Sequence, residues 1–231
     1  MASSRPRGLV AAVLTVRQAV RGGEPDRARS QLRYGAMAHS YELRTASGDF
    51  GRRELVERLG PRPGEVILDV GCGTGRNFEQ IRERIGPSGR LIGIEPSPEM
   101  LMLAEALVRR RGWTNVELIC AGAEEAEIPV VADGAILCAV HDVMRSSHAL
   151  TNVLEHVRSG GRIAAGGPKW VAWNRLGALW LNRTTWHLNR DCVSTFAGFQ
   201  RPWERLAELV PAVEVEERYG GAGYIAHASR P

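Results

Sequence analysis

Val66-Ile67-Leu68-Asp69-Val70-Gly71-Cys72-Gly73-Thr74-Gly75 is an apolar run that feeds directly into three alternating glycines. The run reads as a short buried strand, and the glycines read as a tight turn. Phe78, Ile81 and Ile85 follow at helical spacing, so the order is strand, glycine turn, helix. Such a junction aims backbone N–H groups and a helix N-terminus at a ligand, and glycine admits that ligand with no Cβ in the way. Twenty residues past Gly75, a second apolar run, Leu91 to Glu95, ends in a carboxylate. A carboxylate there can accept both hydroxyls of a ribose. A dinucleotide site spaces its glycines G-x-G-x-x-G, whereas this turn is G-x-G-x-G, with Asp69 two residues before the first glycine.

The β/α alternation continues outward from this stretch. Ser97 and Pro98 suit the start of a helix whose inner face carries Met100, Leu103, Ala104, Leu107 and Val108. Arg109-Arg110-Arg111-Gly112 reads as its basic last turn and stop. Val116 to Ala121 and Gly134 to Val140 read as strands. A helix follows through Leu150, Val153, Leu154 and Val157, with Gly160-Gly161 expected to end it before a fifth strand, Arg162 to Gly166. Strands that are apolar throughout imply a parallel sheet covered on both faces. After Pro168 the pattern changes to a helix and an irregular stretch, and Val213 to Tyr219 with Tyr224 to Ala228 suggests a terminal antiparallel hairpin.

"LDVGCGTG" at 68–75 and "LIGIEPSPEML" at 91–101 resemble the class I S-adenosylmethionine-dependent methyltransferases, of the small-molecule or quinone type. The resemblance implies an α/β, Rossmann-like fold: a seven-stranded, mostly parallel sheet with the last strand antiparallel and an N-terminal helical cap. It places the cap or lid at 1–60 and the cofactor-binding domain at 61–231, with an acceptor-site insert at about 168–203. Gly71, Cys72, Gly73, Thr74 and Gly75 would pass the methionine part of S-adenosylmethionine, and Asp69 would hold its ammonium. Glu95 would bind the ribose hydroxyls, with Pro96 and Met100 beside the adenine. Gly122, Ala123 and Glu124 match the family's adenine-contact segment, although the family often has aspartate where Gly122 stands. Tyr34 and Tyr41 would close over the cofactor, with His39 near the acceptor and Arg44 a carboxylate partner.

Methyl transfer from a sulfonium is an in-line displacement, so the protein mainly aligns the reactants in a dry site. His141 and Asp142 end the fourth strand, at the sheet edge where open α/β sheets bind ligands. His141 is the candidate general base or a wall of the cofactor site, and Asp142 orients it or meets substrate. His187 and Asp191, four apart, are secondary candidates. Five of the six tryptophans fall within 34 positions, Trp170 to Trp203. Trp170, Trp173 and Trp186 suit a flat or greasy acceptor. Trp173 and Trp180, seven apart, would share a helix face, which fits core packing equally well. O-methylation of an aromatic or polyketide-like metabolite leads. N- or C-methylation, a lipid acceptor, and a non-methylating cyclase-like or scaffold role stay open.

The 231 residues are 44% hydrophobic and 24% charged, which excludes a disulfide miniprotein, a fibre and a mainly disordered chain. A net charge of +4 without a basic stripe argues against nucleic acid. Lys169 is the only lysine, and the arginine bias reads as a coding habit. Cys72, Cys120, Cys138 and Cys192 lack CxxC spacing, with Cys120 and Cys138 expected buried. No metal is expected, and the thiols suit a cytoplasmic location. No run is long enough to span a bilayer. Leu9, Val13, Val16 and Val20 repeat at helical spacing, as a lid, a homodimer contact or a weak membrane contact would.

Overall fold

The apolar run at 66–70 becomes β1 (Val66–Val70) because it can bury both of its faces: Ile67 joins one apolar layer, Leu68 and Val70 the other. The computed structural model describes residues 49–190 and 192–231. Most of the expected cap, with Tyr34, His39, Tyr41 and Arg44, lies outside the described residues, as does Asp191. β2 (Arg90–Ile94) pairs with β1 on one side, and β3 (Val116–Ile119) pairs with β2, all parallel. β4 (Ala132–Cys138) and β5 (Val157–Pro168) continue in parallel on the other side. β6 (Glu214–Arg218) forms the far edge, and β7 (Gly223–Ser229) runs antiparallel between β5 and β6. The described residues thus form a seven-stranded sheet of order β3-β2-β1-β4-β5-β7-β6. The strand order reverses between β1 and β4, where open α/β sheets leave a crevice for ligands.

One face is covered by α1 (Asp49–Leu59), α2 (Phe78–Ile85) and α3 (Pro98–Arg111), through Leu55, Leu59, Phe78, Ile81 and Ala104. The other face is covered by α4 (His141–Arg145) and α5 (Ser147–Glu155), through Met144, Leu150 and Val153. In the insert, α6 (Ala178–Asn189) belongs to neither layer, and α7 (Glu204–Leu209) returns to the second one through Leu206. Ser97 caps α3, accepting from Met100 N–H, and Gly112 ends it in the left-handed region at φ 64°.

Two expectations are corrected. Gly160-Gly161 does not end the preceding helix but lies inside β5. α5 stops at Glu155, Val157 already pairs with Ala132, and the register then jumps so that Gly134 faces Arg162. Gly160 takes φ 72°, and a Cβ on Gly161 would meet Val157 Cγ1 at 2.5 Å, so the pair builds a bulge. Cys120 is exposed, because it lies past the end of β3 on an edge strand.

Phe78 is fully buried and braces the glycine turn: a Cβ on Gly75 would lie 2.7 Å from its ring. Phe78→Ala is expected to cost about 3–5 kcal/mol. Urea denaturation should report this as a lower midpoint at unchanged slope.

Candidate cofactor and acceptor site

The glycine turn leaves β1 in a backbone that only glycine adopts cheaply. Gly71, Gly73 and Gly75 sit at φ 67°, 57° and 83°. Gly71 and Cys72 N–H both donate to Ile94 O, at 2.8 and 3.0 Å, which ties the turn to the end of β2. A Cβ on Gly71 would fall 2.4 Å from Val140 Cγ1, so this glycine also lets the end of β4 close against the turn.

Glu95 stands one residue past β2 and is buried. Its Oε2 accepts from Gly73 N–H at 3.0 Å and its Oε1 from Ser97 N–H at 2.9 Å. Burial raises its pKa, and those two bonds oppose the rise. Each oxygen keeps a lone pair for a ligand hydroxyl. Asp69 is wholly buried, and both its oxygens accept from Asn77 Nδ2 at 3.1 Å. Burial pushes it up to about 7, against the Asn77 bond and the positive charge of Arg52, and with the negative charge of Glu95. Asn77 and Arg52 were missing from the sequence reading. Asn77 occupies the N-cap position of α2, yet its side chain makes no cap bond and serves Asp69 instead. An asparagine at that position was the available signal. Arg52 reaches Cys138 Sγ at 3.5 Å from α1, a contact that no local pattern announces.

In the turn after β3, Gly122 and Ala123 are buried and Glu124 is half-buried, as is Pro96 after β2. Asn152 Nδ2 donates to Ala123 O at 2.9 Å and Ala126 O at 3.1 Å, holding that turn from α5. Met100 is buried, its Cε 3.6 Å from where a Gly73 Cβ would stand, so it floors the turn.

Beyond β4 the chain bends through Ala139, a non-glycine residue at φ 58°, and reaches His141. His141 is buried, with Nε2 3.0 Å from Ala197 O. A carbonyl only accepts, so Nε2 carries the proton and Nδ1 presents a lone pair. Burial lowers its pKa to about 4, opposed by the Ala197 bond and aided by the Arg145 charge, so the ring is neutral near pH 7. Phe199 meets it edge-on, ring centres 4.5 Å apart, and Trp170 stacks on Phe196 at 5.1 Å. Trp186 packs half-buried against this cluster. Asp142 accepts from Ser194 N–H at 3.3 Å, fastening the insert to α4. Trp173 and His187 are exposed, although the His187 ring meets Trp186 edge-on at 4.9 Å. Trp173 and Trp180 do not share a helix face, because α6 begins only after Gly177, at φ 80°.

Thr74 Oγ1, Asn77 Oδ1 and His141 Nδ1 are buried with no hydrogen-bond partner. Orphaned buried polar atoms are costly, and a ligand would satisfy them. With two buried carboxylates and a turn that a single Cβ would fill, these residues fit a cationic adenosyl cofactor. Among the described residues, no three His, Cys, Asp or Glu side chains are grouped to hold a metal.

Residues 67–161 match a methyltransferase domain family. These residues carry a methyltransferase domain of the class I, S-adenosylmethionine-dependent kind. The chain is 25% identical to a demethylmenaquinone methyltransferase of Lactococcus lactis, over 77% of the chain and 73% of the relative. It is 31% identical to an aklanonic acid methyltransferase of a Streptomyces species, over 50% of the chain and 54% of the relative. It spans only 34% of another curated relative, an uncharacterised protein from Streptomyces fradiae. A crystal structure titled a putative O-methyltransferase, from Nostoc punctiforme, superposes with TM-score 0.66 at 14% identity, covering 96% of this chain and 67% of that one. The family's cofactor is S-adenosylmethionine, which the residues around Asp69 and Glu95 suit.

Two outcomes are expected. Gly71→Ala should destabilise by about 1–3 kcal/mol through overpacking alone, read by denaturation, and weaken cofactor binding. For His141 the folded pKa lies below the ordinary 6.5, so its neutral form is favoured by folding. Its contribution is constant above pH 6.5 and is lost as pH falls from 6.5 to about 4. The loss reaches about 3 kcal/mol at 1.36 kcal/mol per unit. His141→Gln should flatten that part of the stability–pH profile.

Proposed function

We propose that this methyltransferase moves the sulfonium methyl of S-adenosylmethionine to an oxygen of an aromatic or polyketide-like small molecule. The carrying observation is the unpartnered Nδ1 of buried, neutral His141, set among Trp170, Phe196 and Phe199 and one residue from Val140, which touches the glycine turn. A neutral ring with a fixed Nε2–H can accept a hydrogen bond from an acceptor hydroxyl and align its oxygen. With a pKa near 4 it is a weak base, so it takes the hydroxyl proton only as the new C–O bond forms. The aromatic cluster supplies a flat, dry surface for an apolar ring. The relatives whose names carry demethylmenaquinone and aklanonic acid support a small-molecule acceptor.

When bound, the cofactor supplies an electrophilic methyl that needs no activation by the protein. Asp69 would receive its ammonium and Arg52 its carboxylate, and the same reading assigns Tyr34 and Tyr41, outside the described residues, to cover them. Glu95 takes the ribose hydroxyls. Pro96, Gly122, Ala123 and Glu124 edge the adenine, and Met100 supports it. Trp170 and Trp186 would line the acceptor side, and the same reading assigns His39, outside the described residues, to it.

Asp69 must be ionised to meet the ammonium, and burial holds it near 7. Cofactor affinity should therefore fall by up to about tenfold per pH unit below 7, read by calorimetry, and Glu95→Ala should weaken it at every pH. His141→Gln should lower turnover to S-adenosylhomocysteine more than it changes cofactor affinity. A chain that binds the cofactor but methylates no phenolic acceptor would favour the scaffold reading. Stabilisation by NAD and not by S-adenosylmethionine would sink both.

A further inference from the structure

We propose that the outer face of α6, with the loop that leads into it, docks on an anionic lipid surface. Residues 169–190 contain four tryptophans, Lys169, Arg175, Arg183 and Arg190, and no aspartate or glutamate. Trp173, Leu176, Leu179, Trp180 and Leu188 are all more than half exposed, Leu176 completely. The other exposed large apolar residues among those described, Met102, Val131, Leu209 and Tyr219, are scattered through the sequence. Leu179, Trp180, Arg183 and His187 recur at helical spacing and are all exposed, so they form one side of α6.

That side is not turned outward because the helix is loose. Asn182 accepts from Val171 N–H at 2.8 Å and donates to Val171 O at 3.0 Å, and Trp186 packs on the Trp170–Phe199 cluster. Lys169 spends its three donors on Trp170 O, Gly221 O and Glu217, which pins the start of the loop. A fastened helix that presents tryptophan, leucine and arginine together has the composition of an interfacial contact: rings and leucines enter the headgroup boundary while guanidinium groups meet lipid phosphates.

Charge separates this occupant from two others. Glu217, the acid beside the loop, is already taken by Lys169 and Arg175, so a second copy would bring a face with exposed Arg183 and Arg190 and no acid in α6 against itself. The residues before Asp49 carry eight arginines against three acidic side chains, so they too bear the same sign. Anionic phosphate is the complement that remains. Among the described residues no helix is long and apolar enough to cross a membrane, so the contact is peripheral.

The test uses the full chain and no turnover, so it stands or falls apart from the methyl-transfer reading. Sedimentation with vesicles of phosphatidylglycerol and phosphatidylcholine should carry the protein down. Binding to pure phosphatidylcholine, or in high salt, should be at least about tenfold weaker. Tryptophan emission should shift to the blue on binding. The double variant Leu179→Asp, Trp180→Ala should lose at least about tenfold in vesicle affinity at unchanged circular dichroism and melting temperature. No binding to anionic vesicles would overturn the proposal. Undiminished binding by the double variant would do the same, by assigning the contact to the basic residues before Asp49. If the variant instead turned a dimer into a monomer in the ultracentrifuge, a second copy would be the occupant. If Leu179→Cys in the free protein resisted alkylation, a segment of the chain itself would be.

Discussion

The carboxylate of Glu95 is buried between two turns and held by a backbone N–H from each, Gly73 on one side and Ser97 on the other. Because a buried carboxylate without donors is so costly, this pair of bonds fixes the turn after β1 against the turn after β2. Gly71 carries the constraint one strand further. With no Cβ it lets Val140 close against it, and Val140 delivers His141 to the same edge. The ends of three parallel strands are thereby drawn to one point. The helices behind them, with Phe78 against the glycines, keep that point rigid.

The charges at this edge are arranged for a cation. Burial raises the pKa of both Asp69 and Glu95, the charge of Glu95 raises that of Asp69 further, and neither has a buried lysine beside it. The single lysine of the chain is used elsewhere, tying the insert to Glu217 and Gly221. Around His141 burial works in the opposite sense and keeps the ring neutral. A negative cradle beside a neutral, apolar chamber suits the proposed transfer from a sulfonium to an uncharged acceptor.

The alternation of apolar runs with glycine turns was legible because its physics is local. Period, capping and glycine placement act within a few residues, so β1, the turn, Glu95, Ser97 and Gly112 could all be found along the chain. Gly160-Gly161 misled for the same reason. A glycine pair after a helical stripe looks like a stop, and only pairing with Ala132 and Gly134 reveals a bulge inside β5. The tryptophans misled in part. Their number was a composition fact, but Trp170 and Trp186 pack inward while Trp173 and Trp180 face outward, a division set by Gly177 and Asn182.

Residue type and spacing along the chain set the β/α alternation, the glycine turn and the two carboxylates that flank it, because each depends on one strand–turn–helix unit, whereas the seven-stranded sheet was implied by the resemblance to the methyltransferase family. The closed fold decides that Asn77 and Arg52 serve Asp69, that Ala197 O fixes which nitrogen of His141 carries the proton, and that Asp142 holds the insert in place. Those contacts join residues distant in sequence or turn a local cap to another use. Their energies come from burial, which no stretch of chain possesses until the sheet has closed around it.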